Sequence, residues 1–217
     1  MTRPAAFVIA LLGAESTGKT TLAQALQAAL ATPTCRVGVV GEYLREFCDA
    51  RGRTPRTDEQ PHIAAEQTRR IEAACADHDI VIADTTALMI AVYSDHVFGD
   101  TRLYAAAQAA HARCGLTLLS ALDIAWQPDG LQRDGPQVRE PVDALVRAAL
   151  GRSGASYSVV AGSGAARVRA ALDCVQRAMQ PPAAADPSAD ADPARWHWHC
   201  ERCGDSECER HPLLPRL

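Results

Sequence analysis

The chain has 217 residues, 22 basic and 26 acidic, for a formal net charge of −4. That length suits one α/β domain with a small appendage, and a 47% hydrophobic composition excludes global disorder. The acidic balance argues against a general nucleic-acid-binding role, which needs a concentrated basic surface.

Residues 5–12, AAFVIALL, form a continuous apolar run, the pattern of a parallel strand covered on both faces. This reading is preferred to a signal peptide, because the run flows straight into a glycine-rich loop that cleavage would destroy. KTTLAQALQAALA then reads as a helix, and 35–40 as a second strand. EYLREFCDARG predicts a short helix ending at Gly52. After a loop, Asp58 is the expected N-cap of a long amphipathic helix with Pro61 in its first turn. Residues 79–84 read as a third strand ending on an acid. Two helices follow, over 85–99 and 100–115, separated near Gly99. A fourth strand is expected over 116–122, a polar turn-rich segment over 123–137, and a helix from Val138 to Gly154. A fifth strand over 156–162 and a last helix close the pattern.

Alternating strands and helices predict a three-layer α/β/α fold with a mostly parallel five-stranded sheet, and the glycine-rich Gly13–Thr20 stretch, GAESTGKT, between the first strand and helix makes it the P-loop NTPase type. The division is residues 1–180 for this domain, 181–195 for a Pro/Ala/Asp-rich linker, and 196–217 for a Cys/His-rich tail. Five cysteines are scattered as small hydrophobes, which points to a reducing, cytoplasmic setting. No apolar run is long enough for a bilayer, and no membrane partner is expected.

Gly13-Ala14-Glu15-Ser16-Thr17-Gly18-Lys19-Thr20, followed by Thr21, matches GxxxxGK[ST] between a strand and a helix. Such a loop turns successive N–H groups onto phosphate oxygens at a helix N-terminus. Lys19 would reach the outer phosphates and Thr20 would ligate Mg²⁺ of bound ATP. Glu15 is expected to point away from the phosphates, toward substrate or water. Asp84 would hold the metal through water, accept a substrate proton, or cap the next helix. A base-reading Asn-Lys-x-Asp segment is missing, so the pattern favours a small-molecule kinase over a GTPase. In the tail, Cys200, Cys203, Cys208 and His211 offer four soft ligands suited to structural Zn²⁺; a metal-free tail docked through Trp196 and Trp198, and iron–sulfur or redox chemistry, are the other readings. A regulatory ATP-binding module whose zinc tail engages a partner is the alternative.

Four segments carry a family resemblance: GAESTGKTTL, GEYLREF, IVIADTTALMIAVYSDHVFG and DIAWQPDGLQRDGPQVRE, in order over residues 7 to about 175. With them the chain resembles the ribosylnicotinamide kinase domain of NadR-type proteins, within the AAA-like P-loop kinases. The resemblance implies phosphate transfer from ATP to the 5′-hydroxyl of nicotinamide riboside, a step of NAD metabolism. It places Glu42, Arg45, Asp123, Trp126 and Asp129 around the substrate, and Lys19, Asp84, Arg133 and Arg139 at the chemistry. A cationic ring would favour the face of Trp126 with Asp123 or Asp129 beside it. Family members often carry Asp-Thr-Asp where this chain has Asp84-Thr85-Thr86, so a second acid is missing here. Neither the adenylyltransferase domain nor the DNA-binding domain of some members is expected.

Overall fold

The computed structural model describes residues 5–127 and 135–180. Residues through Met179 belong to one compact unit. Its strands are β1 (Phe7–Leu12), β2 (Val37–Val40), β3 (Ile80–Asp84), β4 (Leu116–Ser120) and β5 (Ser158–Val160). They pair in parallel in the order β2-β3-β1-β4-β5. The helices are α1 (Lys19–Leu30), α2 (Tyr43–Arg51), α3 (Gln60–Asp77), α4 (Ala87–Phe98), α5 (Tyr104–His111), α6 (Arg139–Arg152) and α7 (Gly164–Met179).

Strand alternation sorts the core into layers. Ile9, Leu11, Ile80 and Ile82 pack with Leu22 and Leu26 of α1 and with Ala171 and Val175 of α7. Leu12 packs instead with Ile63 of α3, Leu88 of α4, Ala107 of α5 and Val146 of α6. The sheet is thus covered on both faces, which is why β1 and β3 read as unbroken apolar runs.

Several boundaries differ from the sequence reading for local reasons. Asp58 is not the cap of α3: the Glu59 carboxylate accepts the Arg56 amide at 2.8 Å, and a 3-10 turn at Thr57–Glu59 leads into the helix. Helix α5 starts only at Tyr104, because Asp100 accepts the Arg102 amide and holds the chain in a turn first. Gly52 and Gly99 end α2 and α4 in the left-handed conformation, as expected. Among the described residues, no helix is long and apolar enough to cross a membrane.

Candidate active site

The loop after β1 curls tightly. Gly13 has φ 140°, Ser16 55° and Gly18 74°. A Cβ on Gly13 would lie 3.0 Å from the Ser120 Cβ and 3.2 Å from the Ser120 carbonyl oxygen, so the loop can lie this close to the end of β4 only with glycine there. The Thr17 hydroxyl donates to the Ala14 carbonyl at 2.8 Å, and Lys19 Nζ donates to the Gly13 and Ala14 carbonyls at 2.9 and 3.0 Å. The buried Arg167 of α7 donates to the Thr17 carbonyl at 2.8 Å, bracing the loop from behind.

Parallel pairing sets Leu11 of β1 against Asp84 of β3, which brings the carboxylate beside the loop. Asp84 Oδ2 accepts the Thr20 hydroxyl at 2.5 Å. Its Oδ1 is buried and has no hydrogen-bond partner. Burial pushes the carboxyl up, while the Thr20 hydrogen bond and the Lys19 charge hold it back. A hydroxyl and a carboxylate with an unused oxygen form a hard-oxygen donor set that fits Mg²⁺. Asp84 does not cap α4: Thr86 does, accepting the Leu88 amide at 3.3 Å. Between them Thr85 has φ 88°, an uncommon conformation for a β-branched residue.

A cavity of about 210 Å³ opens beside the loop. Glu15, Lys19, Glu42, Arg45 and Thr85 line its polar side; Leu44, Met89, Tyr93 and Phe98 are on its apolar side. Glu42 and Arg45 form an ion pair at 2.9 Å. Lys19 belongs both to the phosphate loop and to the cavity wall, so anything held by the one adjoins anything held by the other.

A family model described as AAA domain matches residues 8–167, most of the chain. The chain belongs to this AAA domain family. No curated protein matches its sequence. Among solved structures, a NadR protein in complex with NAD and AMP-PNP superposes with TM-score 0.63 at 21% identity, covering 79% of this chain and 49% of that one. A NadR protein in complex with NR gives TM-score 0.67 at 19% identity, covering 82% and 54%. The chain therefore spans about half the length of these NadR chains. A deoxyadenosine kinase from M. mycoides, with dCMP and dCDP bound, gives TM-score 0.55 at 12% identity, covering 79% of this chain and 100% of that one. At these identities the likeness is one of fold.

This AAA domain brings Glu15, Lys19, Glu42 and Arg45 together around one cavity. Glu15 does not open to water: it is 7% exposed, and its Oε1 accepts from the Trp126 indole. Trp126 is committed to that bond and lies outside the cavity lining, whose aromatics are Tyr93 and Phe98. Asp123 also lies outside it. Its carboxylate accepts the Gly162 amide and pairs with Arg167 at 3.6 Å, tying β4 to the β5–α7 turn. Thr21 is exposed on α1. Arg139 is buried at the start of α6, with Nε and Nη2 lacking partners. Asp129, Arg133, the 181–195 linker and the tail ligands Cys200, Cys203, Cys208 and His211 fall outside the described residues. Among the described residues, no cluster of three or more His, Cys, Asp and Glu could hold a metal.

The sequence reading missed Met89 and Tyr93, which lie four residues apart on α4, a spacing that marks a core face equally well. It also missed Gln67. Fully buried on α3, this residue donates to the Gly41 and Thr85 carbonyls and accepts the Tyr43 amide. It holds together the two turns that flank the cavity.

Proposed function

We propose that this protein transfers the γ-phosphoryl group of ATP to a hydroxyl of a small nucleoside-like molecule, with the 5′-hydroxyl of nicotinamide riboside as the leading acceptor. The observation that carries this reading is Lys19, which belongs to the phosphate loop and also lines the adjoining cavity. A donor loop opening onto a shaped pocket is the arrangement that phosphoryl transfer requires, since most of its catalysis is positioning and charge stabilisation. The fold shared with a NadR protein in complex with NR supports the choice of acceptor.

In this reading the amides of residues 13–20 cradle the phosphates and Lys19 swings from the loop carbonyls onto the outer ones. Thr20 and Asp84 would hold Mg²⁺, which neutralises charge building up on the phosphates. Glu42 and Glu15 are the carboxylates lining the cavity; Glu15 is held by the Trp126 indole, so in this reading Glu42 is the one that meets the acceptor. It takes the hydroxyl proton as the oxygen bonds to the γ-phosphorus. The bond from that phosphorus to the bridging oxygen breaks, and ADP leaves. Arg139, a buried guanidinium with two unused donors, joins the transferring group, with Arg133 as a second cation. Tyr93 and Phe98 receive the acceptor's ring.

Coupled-assay ADP release, measured with ATP, Mg²⁺ and a panel of nucleosides, tests the reading. Release that depends on nicotinamide riboside above other nucleosides is expected. ADP release that no nucleoside stimulates would overturn it.

A further inference from the structure

The second variable residue of the phosphate loop is a carboxylate, in a place where bound phosphates are themselves anionic. Simple repulsion would favour a neutral residue there. Glu15 is instead 7% exposed and accepts two N–H groups on one oxygen, from the Trp126 indole at 2.8 Å and the Gly135 backbone at 3.2 Å. Its neighbour Ser16 accepts the Gln127 amide through its hydroxyl at 2.8 Å. Residues 126, 127 and 135 thus all bond to two adjacent side chains of the loop.

Gly135 leads directly to Arg139. It has φ 114°, reached without strain only by glycine. The next three residues, Pro136–Val138, form a 3-10 turn closed by the Val138 amide on the Gly135 carbonyl at 3.3 Å. Proline fixes one dihedral of that turn. Arg139 then begins α6, 8% exposed, with Nε and Nη2 unpartnered. Buried donors of a charged group need a partner, and an anion supplies one. Fixing the Gly135 amide on the phosphate loop therefore fixes where that guanidinium starts from.

We propose that Glu15 is a positioning residue: by accepting the Trp126 indole and the Gly135 amide, it registers Arg139 against the phosphate loop. Hydrogen-bond acceptance is the property used, and the negative charge is dispensable for it. The kinetic consequence rests on the kinase reading above.

Three chains separate the possibilities: wild type, Glu15→Gln, which keeps an acceptor oxygen, and Glu15→Ala, which removes it. The kcat of Glu15→Ala should fall by about a hundredfold, the loss expected when a reacting group is misplaced by about 1 Å. Glu15→Gln should restore kcat to within about threefold of wild type, and the KM for ATP should be similar in all three. A second readout is independent of turnover. With Trp196 and Trp198 replaced by Phe, Trp126 is the remaining tryptophan of the three, and its quenching by acrylamide reports whether the indole is held. Quenching should rise by about twofold in Glu15→Ala and stay at the wild-type level in Glu15→Gln. A wild type without kinase activity would remove the kinase reading and leave the quenching comparison to decide the contact. Quenching unchanged in Glu15→Ala, or Glu15→Gln departing from wild type as far as Glu15→Ala in either readout, would overturn the proposal.

Discussion

Replacing Gln67 with leucine should loosen the cavity from behind. The side chain is fully buried and makes three hydrogen bonds: Nε2 to the Gly41 carbonyl at 3.1 Å and to the Thr85 carbonyl at 3.2 Å, and Oε1 from the Tyr43 amide at 2.8 Å. Leucine has similar bulk and satisfies none of them. The Thr85 contact is the fully buried one, so its carbonyl would be stranded at about 1–3 kcal/mol. Gly41 and Tyr43 lie nearer solvent, and exchanging their bonds for water costs roughly 0.5 kcal/mol each. The sum is about 3 kcal/mol. With a urea slope of about 2 kcal/mol/M, the unfolding midpoint should drop by about 1.5 M. Thr85 also loses the bond that helps hold its φ of 88°. Because Thr85 and Glu42 line the cavity, the acceptor KM should rise more than the KM for ATP. Urea titration followed by circular dichroism measures the first effect and steady-state kinetics the second. A midpoint within about 0.3 M of wild type would refute the reasoning, because that shift is worth under about 0.6 kcal/mol.

Three other substitutions test separate parts of the account. Arg139→Gln should lower kcat by about a thousandfold in single-turnover assays if its guanidinium meets the transferring phosphoryl group. The same change should leave the urea midpoint unchanged or raised, since Nε and Nη2 have no partners to lose. Tyr93→Ala should raise the acceptor KM by about tenfold with little change in ATP binding by calorimetry. His111 is buried between the Thr86 and Thr117 hydroxyls, and burial pushes its imidazole down from 6.5 to about 4. The unfolded chain therefore binds this proton at a pH where the native protein does not. Stability is fully present above pH 6.5 and is lost as pH falls toward 4, by about 3 kcal/mol at about 1.4 kcal/mol per pH unit. Urea midpoints between pH 7 and 4 should show a shallower acid loss in His111→Gln than in wild type, and equal slopes would contradict this assignment.

The phosphate loop was legible because its backbone demands particular residues: Gly13 and Gly18 adopt positive φ, and Gly13 lies against Ser120. Asp84 was legible because an acid ending an apolar strand is out of place in a core. The acceptor wall was not. Helix α4 is buried almost all round from Ala87 to Val92, so the face carrying Met89 and Tyr93 looks like any core face. Gln67 reads as an ordinary amide on an amphipathic helix, and only tertiary packing shows that it bridges two turns. The loop carrying Asp123 and Trp126 was recognised as special, but its composition does not say where each side chain turns. Asp123 goes to the β5–α7 turn and Trp126 to Glu15.

Calorimetric titration of Mg²⁺·ATP into the wild-type chain and into Lys19→Ala tests the phosphate loop most directly. Saturable heat at a single site in wild type, strongly diminished in a folded Lys19→Ala, is the predicted result. A wild type that gives no binding heat at any magnesium concentration, or a Lys19→Ala chain that binds as tightly as wild type, would contradict the account.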